Sequence, residues 1–158
     1  ESIANLKAYI SKNVGSFFAK ASAGICTADD VPLFKQENHF HINIVEEDSQ
    51  VVANIQGYIV DREGRKTLVL RGFNPSTAFM KRVDAEAFCE KALEVGKRFV
   101  QDNNLSGLYI TEQGGWHALS NRERIPEYLA KRYHTAERHI PYELKVASSH
   151  TIASIYRI

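Results

Sequence analysis

This sequence lacks most of the features that place a chain quickly. Its two cysteines, Cys26 and Cys89, stand in no metal-ligand spacing, which excludes zinc-ribbon and disulfide-framework architectures. No apolar run approaches the roughly 18 residues that a membrane-spanning helix needs. Neither charge is in excess: 20 basic side chains face 19 acidic ones, a formal charge of +1. No whole-molecule field therefore draws the chain to nucleic acid or to an anionic membrane, and neither is expected as a partner. Repeats and low-complexity tracts are missing. So are an initiating methionine and a signal peptide, from which we expect a domain cut from a larger protein, fused to other domains and working in the cytoplasm.

What is there suits one globular domain: 158 residues, 44% apolar and 25% charged, enough to bury a core. Residues 1–35 read as an N-terminal helical part. Ile3, Leu6, Ile10, Val14 and Phe17 recur at helical spacing and predict an amphipathic helix over 3–19; Thr27 and Asp30 have capping-box spacing and predict a short helix over 27–34. Residues 36–73 read as an antiparallel meander. Phe40, Ile42 and Ile44 alternate, Glu47, Asp48 and Ser49 turn the chain, and 51–60 return as strand; Asp61, Arg62, Glu63 and Gly64 turn it again into a third strand over 66–73. In residues 74–158, Phe88, Ala92, Val95 and Phe99 mark a helix over 84–101, and 108–111 is strand. A strand, a helix of that length and another strand predict a right-handed crossover, with 108–111 parallel to the third strand. Ser120 or Asn121 is expected to cap a helix running to Tyr133, and 142–147 with 151–156 to close as a hairpin. The fold class is α/β (α+β-like): a mixed, mostly antiparallel sheet with one βαβ crossover, flanked by helices.

Two segments then carry a resemblance. Asn121-Arg-Glu-Arg-Ile125-Pro-Glu-Tyr128-Leu-Ala-Lys-Arg-Tyr133 has an asparagine, an aliphatic residue four on, a tyrosine seven on and an aromatic twelve on. With the order of elements, this resembles the GNAT acyltransferases, whose signature lies on the helix after the parallel strand. Arg82-Val83-Asp84-Ala85-Glu86-Ala87 resembles, more loosely, the R/Q-x-x-G-x-G/A at which that family binds pyrophosphate. Small residues suit such a place because backbone N–H groups at a helix N-terminus must come close to the phosphates. Here Asp84 and Glu86 add negative charge beside that place, weighed against by Lys81 and Arg82.

The resemblance implies an acyl-CoA-dependent N-acyltransferase with acetyl-CoA as co-substrate, an amine as acceptor and no metal, the thioester lying in the opening between the strands of Leu68 and Leu108. It places Leu70, Arg71, Lys81, Arg82, Ala85, Ala87 and Asn121 along the coenzyme. Acyl transfer also needs a proton donor for the departing thiolate and a base for the amine. Tyr128, two helical turns past Asn121 on one face, is the expected donor. Glu112, at the carboxyl end of the parallel strand, and His117 in the following loop are the candidate bases. The alternative is a catalytically inactive GNAT-like domain serving a larger protein in binding or regulation.

Other groupings are less complete. His39 and His41 share a strand face but bring no full ligand set, and His134 and His139 are spaced to diverge on a continuous helix. Cys89 falls on the apolar side of its helix and reads as core, while Cys26 lacks a nucleophile motif. Arg122, Arg124, Lys131 and Arg132 read as a solvated helix face or a contact for an anion.

Overall fold

The computed structural model describes residues 6–11, 38–46, 50–113, 119–147 and 150–158. Its strands are β1 (Lys7–Ser11), β2 (His39–Val45), β3 (Val51–Arg62), β4 (Arg65–Pro75), β5 (Leu108–Thr111), β6 (His139–Ala147) and β7 (His150–Arg157). Its helices are α1 (Thr77–Met80), α2 (Ala85–Asp102) and α3 (Arg124–Tyr133). They build one seven-stranded sheet of order β1-β2-β3-β4-β5-β7-β6. β4 and β5 run parallel and every other neighbouring pair is antiparallel. The mixed sheet and its single crossover are as expected from the change of hydrophobic period.

Alternation along the central strands divides the core between two faces. Leu68 and Leu70 of β4, with Leu108 and Ile110 of β5, belong to the larger cluster with Phe88, Ala92 and Leu93 of α2. Val69 and Tyr109 point the other way and pack with Tyr58, Val60, Leu144 and Val146. The helix lies close on the strands because Gly96 faces them: a Cβ there would stand 3.0 Å from Leu70 and 3.2 Å from Leu108. α2 starts at a side-chain cap, with Asp84 Oδ1 accepting from the Ala87 N–H at 3.0 Å.

Two expectations are corrected. Residues 7–11, placed in a helix by the spacing of Leu6 and Ile10, instead pair with β2 over Lys7↔Val45 to Ser11↔His41. An open strand edge satisfies backbone groups that a short helix leaves partly unpaired, and Tyr9 and Ile10 are 41% and 45% exposed, so no apolar helical face is buried there. The rest of that helix and the one over 27–34 lie outside the described residues. The second correction is at α3, which begins behind Glu123 with no side-chain cap. Ser120 and Asn121 precede the helix, and the Ser120 hydroxyl is used on β4 instead. A short helix, α1, went unforeseen, although Ser76 caps it by accepting from the Phe79 N–H.

Candidate active site

Pairing between β4 and β5 stops early. It runs through Leu68↔Leu108, Val69↔Tyr109 and Leu70↔Ile110, after which the strands part. The cause lies in β4. Against β3, Arg71 pairs with Gln56 and Asn74 with Asn54, so Gly72 and Phe73 together stand opposite Ile55. Such a bulge bends its strand, and Gly72 supplies the required backbone with φ +61°. Beyond it the Phe73 N–H and C=O no longer meet β5. Both are taken by residues ahead of α3: the Phe73 N–H donates to the Leu119 carbonyl at 2.8 Å, and the Ser120 hydroxyl donates to the Phe73 carbonyl at 2.6 Å. On the opposite wall, the Glu112 N–H donates to the Ser154 carbonyl of β7 at 3.4 Å. Successive strand residues face opposite sides, so the Thr111 carbonyl looks toward β4. It accepts a hydrogen bond from His134 Nε2 at 3.2 Å.

At the N-terminus of α2, two adjoining grooves share Ala85 and Arg124. One, of about 320 Å³, is lined by Asp84, Glu86, Glu127, Tyr128 and Lys131 as well. The other, of about 540 Å³, takes in Met80, Val83, Asn121, Arg122 and Glu123. Among the expected residues, Ala85, Asn121 and Tyr128 are thus brought to one place. Ala87 faces a separate groove with Glu90 and Lys91, and its N–H is held by Asp84. Leu70 is fully buried under α2, and Arg71 donates to Gln56 Oε1 at 2.8 Å. Lys81 is exposed, while Arg82 forms an ion pair with Glu46 at 2.5 Å. Glu112 sits on β7, accepting from the Ser154 hydroxyl at 2.8 Å and the Ala153 N–H at 3.1 Å. His117 falls within 114–118, outside the described residues.

Tyr128 is drawn into a network. Its hydroxyl donates to Glu90 Oε1 of α2 at 2.5 Å and accepts from Arg132 at 2.9 Å, and the Tyr133 hydroxyl donates to the same Glu90 oxygen at 3.2 Å. Desolvation, then the hydrogen bond to Glu90, pushes the Tyr128 phenol up to about 12. Glu90 escaped the sequence reading because only the packing of α2 on α3 turns it toward Tyr128. Cys89 is buried, and desolvation pushes its thiol up to about 12, an inert core residue as expected. His39 and His41 meet edge-on at 4.8 Å, and among the described residues no third ligand completes a metal group with them.

His134, weighed in the sequence only as a poor pair with His139, takes its place from the Thr111 carbonyl instead. Its ring stacks on Tyr156 with centroids 4.1 Å apart, and burial lowers its pKa from the ordinary 6.5. The folded state then binds fewer protons than the unfolded chain below about pH 6.5, so stability present above that pH is lost as pH falls toward the lowered value. Urea midpoints measured at about pH 7.5 and pH 5 should fall less steeply for His134→Gln than for the wild type. Equal slopes would show that His134 is not the group responsible.

No protein-family model matches the chain, and no curated protein does. Solved structures do. An aminoglycoside acetyltransferase from an uncultured soil metagenomic sample aligns over 92% of this chain and 100% of its own, at 13% identity and a TM-score of 0.54. Ribosomal-protein-alanine N-acetyltransferase from Brucella melitensis biovar Abortus aligns over 80% and 89%, at 12% identity and 0.54. A GNAT-family acetyltransferase from Staphylococcus aureus covers 96% and 99%, at 10% identity and 0.54. At such identities what is shared is the fold, and that fold is the one of the GNAT acetyltransferases.

Proposed function

We propose that this chain is an N-acyltransferase that takes an acyl group from a coenzyme A thioester, acetyl-CoA in the simplest case, and gives it to an amine. The observation that carries this reading is the parting of β4 and β5 beside the N-terminus of α2. A parallel pair that opens toward a helix start offers strand-edge groups to an extended arm and helix N–H groups to its phosphates. In the reaction the amine nitrogen bonds to the thioester carbonyl carbon, the C–S bond breaks, the nitrogen loses a proton and the thiolate gains one. Tyr128 would supply that proton after leaving Glu90. Glu112 or His117 would accept the amine's, and Lys81, Arg82, Ala85 and Asn121 would border the coenzyme, while Leu70, buried under α2, and Ala87, on a separate groove, would not touch it.

A second reading has an observation of its own. The Asp84 carboxylate already caps α2, and Arg82 is paired with Glu46, so the helix start carries a built-in anion and the arginine two residues before that cap is engaged elsewhere. That suits a GNAT-fold module without turnover, binding or regulating within a larger protein. Incubation with acetyl-labelled acetyl-CoA and a panel of polyamines, aminoglycosides and peptide amino termini separates the two. Label should appear in at least one amine above the uncatalysed rate; a blank panel from protein that still binds the coenzyme supports the module instead.

A further inference from the structure

We infer that residues 119–122 form a strap that closes the β4–β5 opening along the line a thioester arm would take, so that the strapped and loaded states exclude each other. This rests on the coenzyme reading above. Three contacts fix the strap to the bent end of β4: Leu119 C=O on the Phe73 N–H, Ser120 Oγ on the Phe73 carbonyl, and Arg122 Nε on the Pro75 carbonyl at 2.9 Å. A fourth residue holds it from β5's side. Gln113, two positions past that strand, accepts from the Leu119 N–H at 2.9 Å and the Ser120 N–H at 3.2 Å, and donates to the Ser120 carbonyl at 3.1 Å. The strap is no surface loop at rest on the fold. Leu119 is 0% exposed within the main core and Ser120 is 2% exposed.

The chemistry of the competition is simple. The arm of a coenzyme A thioester is a run of methylenes broken by amides, and it would pair with a strand edge as another strand does. The backbone groups at the bulge that such an arm would meet are those of Phe73, and the strap already occupies both. On the facing wall His134 holds the Thr111 carbonyl. Each N–H serves one acceptor well, so an arm can enter only as the strap leaves, and the strap's hydrogen bonds are subtracted from the coenzyme's affinity.

Gln113→Ala removes the side chain that grips the strap on three bonds while leaving β4 intact, and Ser120→Ala removes the bond to the Phe73 carbonyl. Titrating coenzyme A calorimetrically should give roughly 10-fold tighter binding for either variant than for the wild type, given the modest net worth of each such bond. Amide exchange gives an independent readout: adding coenzyme A to the wild type should speed exchange at Leu119 and Ser120 while Phe73 stays protected. Equal affinities in wild type and variants would overturn the competition and leave the coenzyme reading standing. Fast exchange of Leu119, Ser120 and Phe73 in the free wild type would overturn the closed strap itself. No binding by Gln113→Ala, with its strap amides open to exchange, would overturn both the competition and the coenzyme reading.

Discussion

Tyr128→Phe should slow acyl transfer about 100-fold, the lower end of the roughly 10²–10⁴-fold that general acid catalysis supplies. A thiol of pKa about 8.5 leaves tolerably as thiolate, which keeps the loss near that end. Geometry points the same way. The phenol hydrogen is held by Glu90 and the phenol pKa stands at about 12, so donation requires the hydroxyl to swing from α2 toward the sulfur. Folding should scarcely change. The ring stays, and Glu90 and Arg132 remain 3.2 Å apart and able to pair directly. Turnover measured at saturating coenzyme should therefore fall while the melting temperature and the coenzyme's affinity hold. Undiminished turnover would remove Tyr128 as the acid.

The second large effect is on stability. Phe88, 1% exposed, stands T-shaped to Phe79 at 5.9 Å and anchors the first half of α2 in the main core. Phe88→Ala should cost about 3–5 kcal/mol, the sum of lost transfer energy and the cavity left behind. In a urea titration the midpoint should drop sharply with the slope unchanged. Because the same helix carries Asp84, Ala85 and Glu90, coenzyme binding should weaken even where the variant remains folded. A loss under about 1 kcal/mol would mean that neighbouring side chains collapse into the space.

Much of this fold could be read from period and punctuation. The alternation of Phe40, Ile42 and Ile44, the turn at Glu63 and Gly64 and the helical spacing of Phe88, Ala92, Val95 and Phe99 are local signals that the packing then obeyed. β1 was missed because five residues, Lys7–Ser11, become strand only by meeting the edge of β2, which no local window contains. Ser120 misled for a related reason. Its hydroxyl suits a helix cap, yet a carbonyl 47 residues away in sequence claims it.

The site divides in the same way. The sequence spacing put Asn121 and Tyr128 on one helix face; Asn121 instead precedes α3, yet the fold still brings both with Ala85 to adjoining grooves at one helix start. Gln113, His134 and Glu90 gained their places from tertiary contacts alone. The single advance warning was electrostatic: acids at Asp84 and Glu86 in a segment meant for phosphate, one of which proves to be the cap of α2.

Acetyl-CoA titrated into the wild-type chain by isothermal calorimetry tests the central claim most directly. The account expects saturable one-site binding, weakened by the strap, and a loss of that binding when Lys81 and Arg82 are both replaced by alanine. A flat titration for the wild type and for Gln113→Ala alike, from protein that melts cooperatively, would contradict it.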